Sequence, residues 1–391
     1  MRTIAIVTVA RSDYGIYLPI LRRIQTDPEL NLRLMVSGAH LSPEFGMSVK
    51  LIEADGFTVA DRVEMLLSSD SPEGISKSIG LGVIGFSQAF ARSQPDLLVV
   101  LGDRFEMYAA ALAALPFLIP VAHIHGGEVT MGAIDDALRH SMTKLSHVHF
   151  VSTVDYGRRI EQLGEELDRI VVSGAPGLDN LNSFTRLSGA ELFAKFGCST
   201  QPQPLLVTFH PVTREYPLVK TQTQALLDAL DEVKLPVVFT QPNADTGGRQ
   251  ISHMIDEFVS HHATACRVDN LGLQGYFSLM SLAAAMVGNS SSGIIEAPSF
   301  GLPVVNIGSR QTGRVRASNV IDVEADRSAI VVGIRQAVRP EFRDGLRGEV
   351  NPYGDGHASR IIVERLKSIT LGPRLTTKRF RDVRVAGVIG G

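Results

Sequence analysis

The stretch "DLLVVLGDRFEMYAAALAALPFLIPVAHIHGGE", residues 96–128, reads as strand, helix, strand. "DLLVVLGD" is an unbroken apolar run that ends on a glycine and an acid, the pattern of a strand buried on both faces. "RFEMYAAALAAL" is rich in alanine and predicts a helix. "FLIPVAHIHGG" is apolar again and ends on a double glycine. Two buried strands joined by a helix form a parallel unit, because parallel strands need a crossover between them.

The same alternation runs outward in both directions. "TIAIVTV" (3–9) and "LNLRLMVSG" (30–38) are strands, with "GIYLPILRRIQ" as a helix between them. "EGISKSIGLGVIGFSQAFARSQ" (73–94) has helical periodicity and ends before Pro95. After residue 128 come "DDALRHSMTKLS" as a helix, "HVHFVST" as a strand, "VDYGRRIEQLG" as a helix and "RIVVSGAP" as a strand. The pattern pauses over residues 177–204, which are rich in Ser, Gly, Gln and Pro and read as a linker with one short helix. It then restarts: "LLVTFHP", "PVVFTQPN", "AMVGNS" and "PVVNIGS" are strands with helices between them. The fold class is therefore α/β, with two Rossmann-like domains facing each other across a cleft. The expected division is 1–178 for the first domain and 179–368 for the second, with "HASRIIVERLKSI" (357–369) as the helix that closes the second. Residues 369–391 are basic, end in glycine and read as a loose tail.

Composition narrows the function. With 20% charged residues, 44% hydrophobic residues and a formal charge of −3, the chain has no global signal for nucleic acid or a membrane. No run approaches the ~18 apolar residues of a membrane helix. The start "MRTIAIVTVARSDYG" lacks the cleavage pattern of a signal peptide. Cys198 and Cys266 offer no framework for disulfides or zinc, and a reducing cytoplasm is the expected home.

Polar residues gather where strands end. Arg11 follows the first strand and could clamp a phosphate with its planar fork; the alternative is a surface pair with Asp13. Asp103 and Arg104 follow "VVLG", where Asp also serves as a helix cap. His123 and His125 alternate on one strand, Glu128 follows on a tight loop, and Asp135 and Asp136 open the next helix. Two histidines and a glutamate could ligate zinc, but acids at strand and helix ends suit proton transfer better. Asp135 with Arg139, and Asp136 with His140, are also plain i,i+4 pairs. His210 ends another strand. In "GNSSSGIIEAP" (288–298), Ser290, Ser291 and Ser292 start a helix, a natural anion site, with Glu296 a turn further in. "IGSRQTGRVR" places Arg310 nearest the strand and two more arginines beyond it, a loop suited to a diphosphate.

Taken in order, "ARSDYG", "LGDRFE", "HIHGGE", "IDDALRH", "FHPVT", "PNADTG", "GNSSSGIIEAPSFGLP" and "GSRQTGRVR" resemble the hydrolysing UDP-N-acetylglucosamine 2-epimerases of sialic and legionaminic acid synthesis. The resemblance runs from about residue 2 to about residue 368. It implies the B-type glycosyltransferase architecture, no metal, no nicotinamide, a UDP-sugar as substrate and homodimers or homotetramers. It also implies a reaction in which a base removes the C2 proton, UDP leaves C1 to give a glycal, and water adds to yield the free 2-epimer. By position, Asp103 and Asp135 match two catalytic acids of the family. Some members carry "HIEGGE", whose Glu is catalytic; His125 stands there in this chain, so either Glu128 takes the role from a shifted loop, the favoured reading with His125 nearby, or His125 does the proton work. Arg11, His210, Ser290, Ser291, Glu296 and Arg310 match contacts to the nucleotide diphosphate, and Arg104, Asn243 and Asp245 are weaker matches. The sugar stays open between UDP-GlcNAc and UDP-N,N′-diacetylbacillosamine. The non-hydrolysing epimerase, with "HVEAGLR" after the strand, is disfavoured by "HIHGGE". A B-type glycosyltransferase and a nucleotide-sugar sensor share the fold, but neither needs three acids.

Overall fold

All the strand pairs among the described residues are parallel, and they fall into two separate sheets. The first holds β1 (Arg2–Thr8), β2 (Leu30–Ser37), β3 (Val59–Val63), β4 (Leu97–Leu101), β5 (Val121–Ile124), β6 (Val148–Val151) and β7 (Ile170–Val172), in the order β3-β2-β1-β4-β5-β6-β7. The second holds β8 (Leu205–Thr208), β9 (Val237–Thr240), β10 (Ala265–Val268), β11 (Ala285–Gly288), β12 (Val304–Ile307) and β13 (Val320–Val323), in the order β10-β9-β8-β11-β12-β13. The computed structural model describes residues 1–69, 71–130, 134–182, 184–241, 247–269 and 271–382.

Each sheet carries the doubly wound order, which reverses beside its first strand. The reversals lie between β1 and β4, paired at Ile4 and Leu97, and between β8 and β11, paired at Leu205 and Ala285. Ligands of open α/β sheets sit beyond the carboxyl ends of the strands at such a reversal. The central strands are apolar throughout because both faces are covered. Leu205, Val207, Val237 and Phe239 join one buried cluster, while their neighbours Leu206, Val238 and Met286 join another on the opposite face. In the first unit, Ile4, Ile6, Val99, Phe86 and Phe90 are fully buried.

The division of the chain differs from the expected one. One unit comprises Met1–Glu128, Ile134–Asn180 and the segment from Gly356 on; the other comprises Leu181–Asp355 with Val129 and Thr130. The closing helix, Ala358–Ser368, thus belongs to the first unit and not to the second. The reason is local. Both Asp179 oxygens accept from its first N–H groups, those of Ala358 (2.8 Å) and Ser359 (2.7 Å). Arg23 reaches Ser359 Oγ (2.8 Å), and Ile362 and Leu366 are buried in the first unit's core.

Two further expectations are corrected. The tail is docked as far as it is described: Arg169 donates to the carbonyls of Leu375 (2.8 Å), Arg374 (3.0 Å) and Thr377 (3.1 Å). Lys378 pairs with Glu165 (2.8 Å) and Arg381 with Glu161 (2.7 Å). The two cysteines are joined, Cys198 to Cys266, with their Cα atoms 5.9 Å apart. A separation of 68 residues hides that pairing from a reading of spacing, because only the fold brings the end of helix Gly189–Phe196 beside β10. Among the described residues no helix is long and apolar enough to cross a membrane.

Candidate active site

In the first unit, the acids meet at the ends of β4 and β5. Gly102, at φ +74°, turns the chain out of β4 and sets Asp103 at the rim. Asp103 does not cap the helix that follows, Phe105–Ala114. It pairs instead with Arg139, which lies one turn into helix Ile134–Leu145. Arg139 is 3% exposed; its other nitrogen, Nη1, donates to the carbonyl of His125 (3.0 Å) and lies 3.9 Å from Glu128 Oε2. The bland i,i+4 partner of Asp135 is thus the cation that ties Asp103 to the double-glycine loop. Asp136 lies 3.7 Å from His140, as a pair on the helix surface.

His123 and His125 do not share a face. His125 stands past the end of β5 in the left-handed region, at φ +62°, which a non-glycine residue adopts only when its surroundings hold it there. That turn aims its Nδ1 at Glu128 Oε1, 2.5 Å away. Ser152 Oγ donates to the same oxygen at 2.9 Å. Gly127 allows the turn: at φ +75°, a Cβ there would lie 2.4 Å from the Tyr156 carbonyl. His123 is buried, which lowers its pKa to about 3. A neutral ring facing the Gly102 carbonyl at 2.8 Å must donate from Nε2, so His123 braces the turn that presents Asp103. The three histidines of this stretch therefore serve three different partners. Among the described residues no set of three His, Cys, Asp or Glu side chains could hold a metal ion.

Beside this lies the end of β1. Asp13 does not pair with Arg11. It accepts from Thr8 Oγ1 (2.6 Å) and from the N–H groups of Val9 (2.9 Å) and Ala10 (2.7 Å), and burial lifts its pKa to about 6 against those bonds. Thr8 also meets His40 Nε2 at 3.0 Å, and burial lowers the His40 pKa to about 4. Arg11 is exposed at the first turn of its helix, over Gly46. Arg104 forks onto the fully buried Glu106, at 3.1 and 3.3 Å.

In the second unit the turns after β8, β11 and β12 are stitched to one buried residue, Asn289. Its side chain accepts from the His210 N–H (2.7 Å) and donates to the His210 carbonyl (2.8 Å). Its own carbonyl takes Arg310 Nη1 (3.0 Å) and Gln311 Nε2 (2.8 Å). Gly288 is obligatory there, since at φ +136° a Cβ would lie 1.9 Å from the Thr208 carbonyl. Burial, then the nearby Arg310, lowers the His210 pKa to about 3. The helix opened by the serines is only one turn, Ser292–Ile295, so little of the expected dipole stands behind them. Hydroxyl groups gather there instead: the Tyr276 phenol, whose pKa burial raises to about 12, lies among the hydroxyls of Ser292, Thr208 and Ser290, which act against that rise. Tyr276 also borders a cavity of about 310 Å³ lined by Thr240, Gln241, Val268, Asp269 and Leu271 at the ends of β9 and β10. Arg316 turns back onto Asp322 (2.9 Å) and the Gln311 carbonyl (3.0 Å), a structural role. Asn243 and Asp245 lie outside the described residues.

Two doubly wound units, one with buried carboxylates and the other with an Arg- and hydroxyl-rich turn at its strand-order reversal, define a nucleotide-sugar type of α/β protein. The chain belongs to the UDP-N-acetylglucosamine 2-epimerase family, which it matches over residues 22–367. It is 36% identical over 379 residues to the UDP-N,N′-diacetylbacillosamine 2-epimerase (hydrolyzing) of Legionella pneumophila, covering 97% of this chain and 99% of that one. It is 40% identical over 325 residues to the GDP/UDP-N,N′-diacetylbacillosamine 2-epimerase (hydrolyzing) of Campylobacter jejuni, covering 83% and 84%. Its fold is that of the UDP-GlcNAc 2-epimerase from Neisseria meningitidis bound to UDP-GlcNAc, with a TM-score of 0.81 at 20% identity over 94% and 99% of the two chains. The sequence motifs had pointed to this family. Arg139, Asn289 and Tyr276 are the site residues that sequence reasoning missed; Asn289 carried a usable signal, standing directly after a strand.

Proposed function

We propose that the chain is a hydrolysing 2-epimerase that converts a UDP-linked 2-acetamido sugar, with water, to UDP and the free 2-epimer. The observation that carries this is the set formed by Asp103, Arg139, Glu128 and His125 at the ends of β4 and β5. A proton beside an amide-bearing carbon is removed only by a positioned base, and its return to the other face needs a second acid. The base takes H from C2, its electron pair forms the C1–C2 double bond, and the C1–O bond breaks to release UDP. Water then adds its OH to C1 as the second acid supplies H to C2, and the proton that water gives up returns to that acid's carboxylate. Glu128 is 3% exposed and engaged by His125 and Ser152, so the two side chains act as one base, with Glu128 holding the His125 ring. Asp103, 23% exposed, is the carboxylate open to a sugar, and Asp135 opens the adjoining helix. Arg310, His210, Ser290, Ser291 and Glu296 take the diphosphate side, Arg11 and Arg104 add positive charge in the first unit, and the cavity beside Tyr276 takes the uracil.

The sugar we favour is UDP-N,N′-diacetylbacillosamine, on the strength of the Legionella and Campylobacter relatives. Turnover in D2O tests the chemistry, with both UDP-sugars offered. The expected product is free UDP and a 2-epimerised sugar with deuterium at C2 by NMR. A released sugar of unchanged configuration, with its original hydrogen at C2, would overturn the epimerase reading; turnover of UDP-GlcNAc alone would overturn the choice of sugar. The binding half is tested separately. Arg310→Ala and Ser290→Ala are each expected to weaken UDP binding by roughly 1.5–3 kcal/mol in calorimetry, the worth of a charge-assisted hydrogen bond. Unchanged affinity in both variants would remove that turn from the site.

A further inference from the structure

Helix Ile134–Leu145 opens with Asp135 and, one turn further in, presents Arg139, the cation that holds Asp103. Its other end, about 18 Å away, is closed by the tail. The Lys378 ammonium has three protons and three partners there. Nζ donates to the carbonyls of Thr143 (3.4 Å) and Lys144 (2.7 Å) and pairs with Glu165 Oε2 (2.8 Å). A helix leaves its last carbonyls without partners of its own, and a cation beside them also meets the negative end of the dipole. Glu165 is 1% exposed; its other oxygen takes Lys144 (2.5 Å), and His149 Nε2 lies 3.1 Å from Oε2. Lys378 thereby ties the end of the helix to β6 and to the turn after helix Val154–Gln162. The residues around it are seated by shape. The Arg381 N–H donates to the Gly164 carbonyl (2.9 Å), and Phe380 lies so close to Gly164 that a Cβ there would come within 2.5 Å of the ring. From Lys378 the route to the site is short. Thr143 is fully buried; its Oγ1 donates to the Arg139 carbonyl (3.1 Å) and lies 3.4 Å from His123 Nδ1. His123 in turn braces Gly102, the turn that presents Asp103.

We propose that Lys378 is a positioning residue for Asp103: by clamping the far end of helix Ile134–Leu145 it fixes Arg139 along the helix axis and keeps Thr143 packed on His123. It touches no substrate, and the role rests on the reading of Asp103 and Arg139 as part of the reacting set. The charge of the clamp depends on pH. Burial lowers the Lys378 pKa to about 8; Glu165 opposes that fall, and Lys144 and Arg169 add to it. His147 and His149, which face Lys378 from around β6, are both kept neutral by burial, and Glu161 on the neighbouring helix is taken by Arg381 (2.7 Å). The clamp therefore holds below about pH 8 and loosens as pH rises through that value, when the ammonium gives up its proton.

K378M keeps the apolar stem of the side chain and removes its charge. At about pH 7 its kcat is expected to be roughly 10–10²-fold below that of the wild type, the effect of displacing a reacting group by up to about an ångström, with UDP affinity unchanged in calorimetry. The ratio of wild-type to K378M kcat should shrink toward one by about pH 9.5, where the wild-type lysine is neutral as well. A side chain needed only for folding would leave that ratio constant. Hydrogen exchange at the last turn of helix Ile134–Leu145, expected to be faster in K378M, reads the clamp without turnover. Where the wild type places deuterium at C2 of its product, a K378M variant with wild-type kcat, a ratio that does not change with pH, or unaltered exchange would each overturn the positioning role alone. A wild type that places no deuterium at C2 would overturn the reading of the reaction and this role with it, whatever the exchange shows.

Discussion

Asp103→Asn is expected to lower kcat by roughly 10²–10⁴-fold, the usual worth of a positioned general acid or base, while leaving UDP affinity nearly unchanged. Asparagine keeps the shape of the side chain at the end of β4 and removes only its charge and proton. Arg139 would retain its bond to the His125 carbonyl, and Gly102 would still be braced by His123. The diphosphate contacts proposed above lie in the other unit, so affinity for UDP reports on a separate set of residues. A variant with wild-type kcat would take Asp103 out of the chemistry.

The second large effect concerns the proposed base, Glu128 with His125. Glu128→Gln and His125→Ala are each expected to reduce kcat by roughly 10²–10⁴-fold, and the double variant should fall little further than either single one. Groups that act as a unit lose their function once, whichever member is removed. The 2.5 Å contact between Nδ1 and Oε1, together with Ser152 on the same oxygen, is the geometry behind that expectation. Losses that multiply in the double variant would mean that the two side chains work at separate steps. A His125→Ala variant with full activity would leave Glu128 as the base alone.

The sequence was informative where burial is uniform and silent where it is not. The central strands β1, β4, β5, β8 and β11 stand out because both faces are covered and every position can be apolar. β3, β10 and β13 are sheet edges, and their sequences, "VADRV", "ACRV" and "VIDV", carry charges that interrupt the run. The site follows the same logic. Asp103, His125, Glu128, His210 and Ser290 stand right after strands, so their places could be read from the strands themselves. Arg139 was visible only as a helix residue four beyond Asp135, because its pairing with Asp103 spans 36 positions that only the fold closes. The place of the last helix was equally hidden, since its partner Asp179 lies on the far side of a whole unit in sequence.

That last helix has a bearing on how the protein is made. The strands of the first unit are complete once β7 has been synthesised, yet helix Ala358–Ser368 and the docked residues after it arrive only when all of Leu181–Asp355 has been translated. During synthesis the second unit, whose residues all precede Gly356, can therefore finish first, although most of it is encoded second, which inverts the usual order in which domains close behind the ribosome. Until then, helix Arg11–Thr26 waits with a bare flank, and Asp179 waits with no N–H groups from Ala358 and Ser359 to accept. The beginning of the message encodes a surface that its end must cover. An early stop codon would leave the second unit whole and unclothe the first.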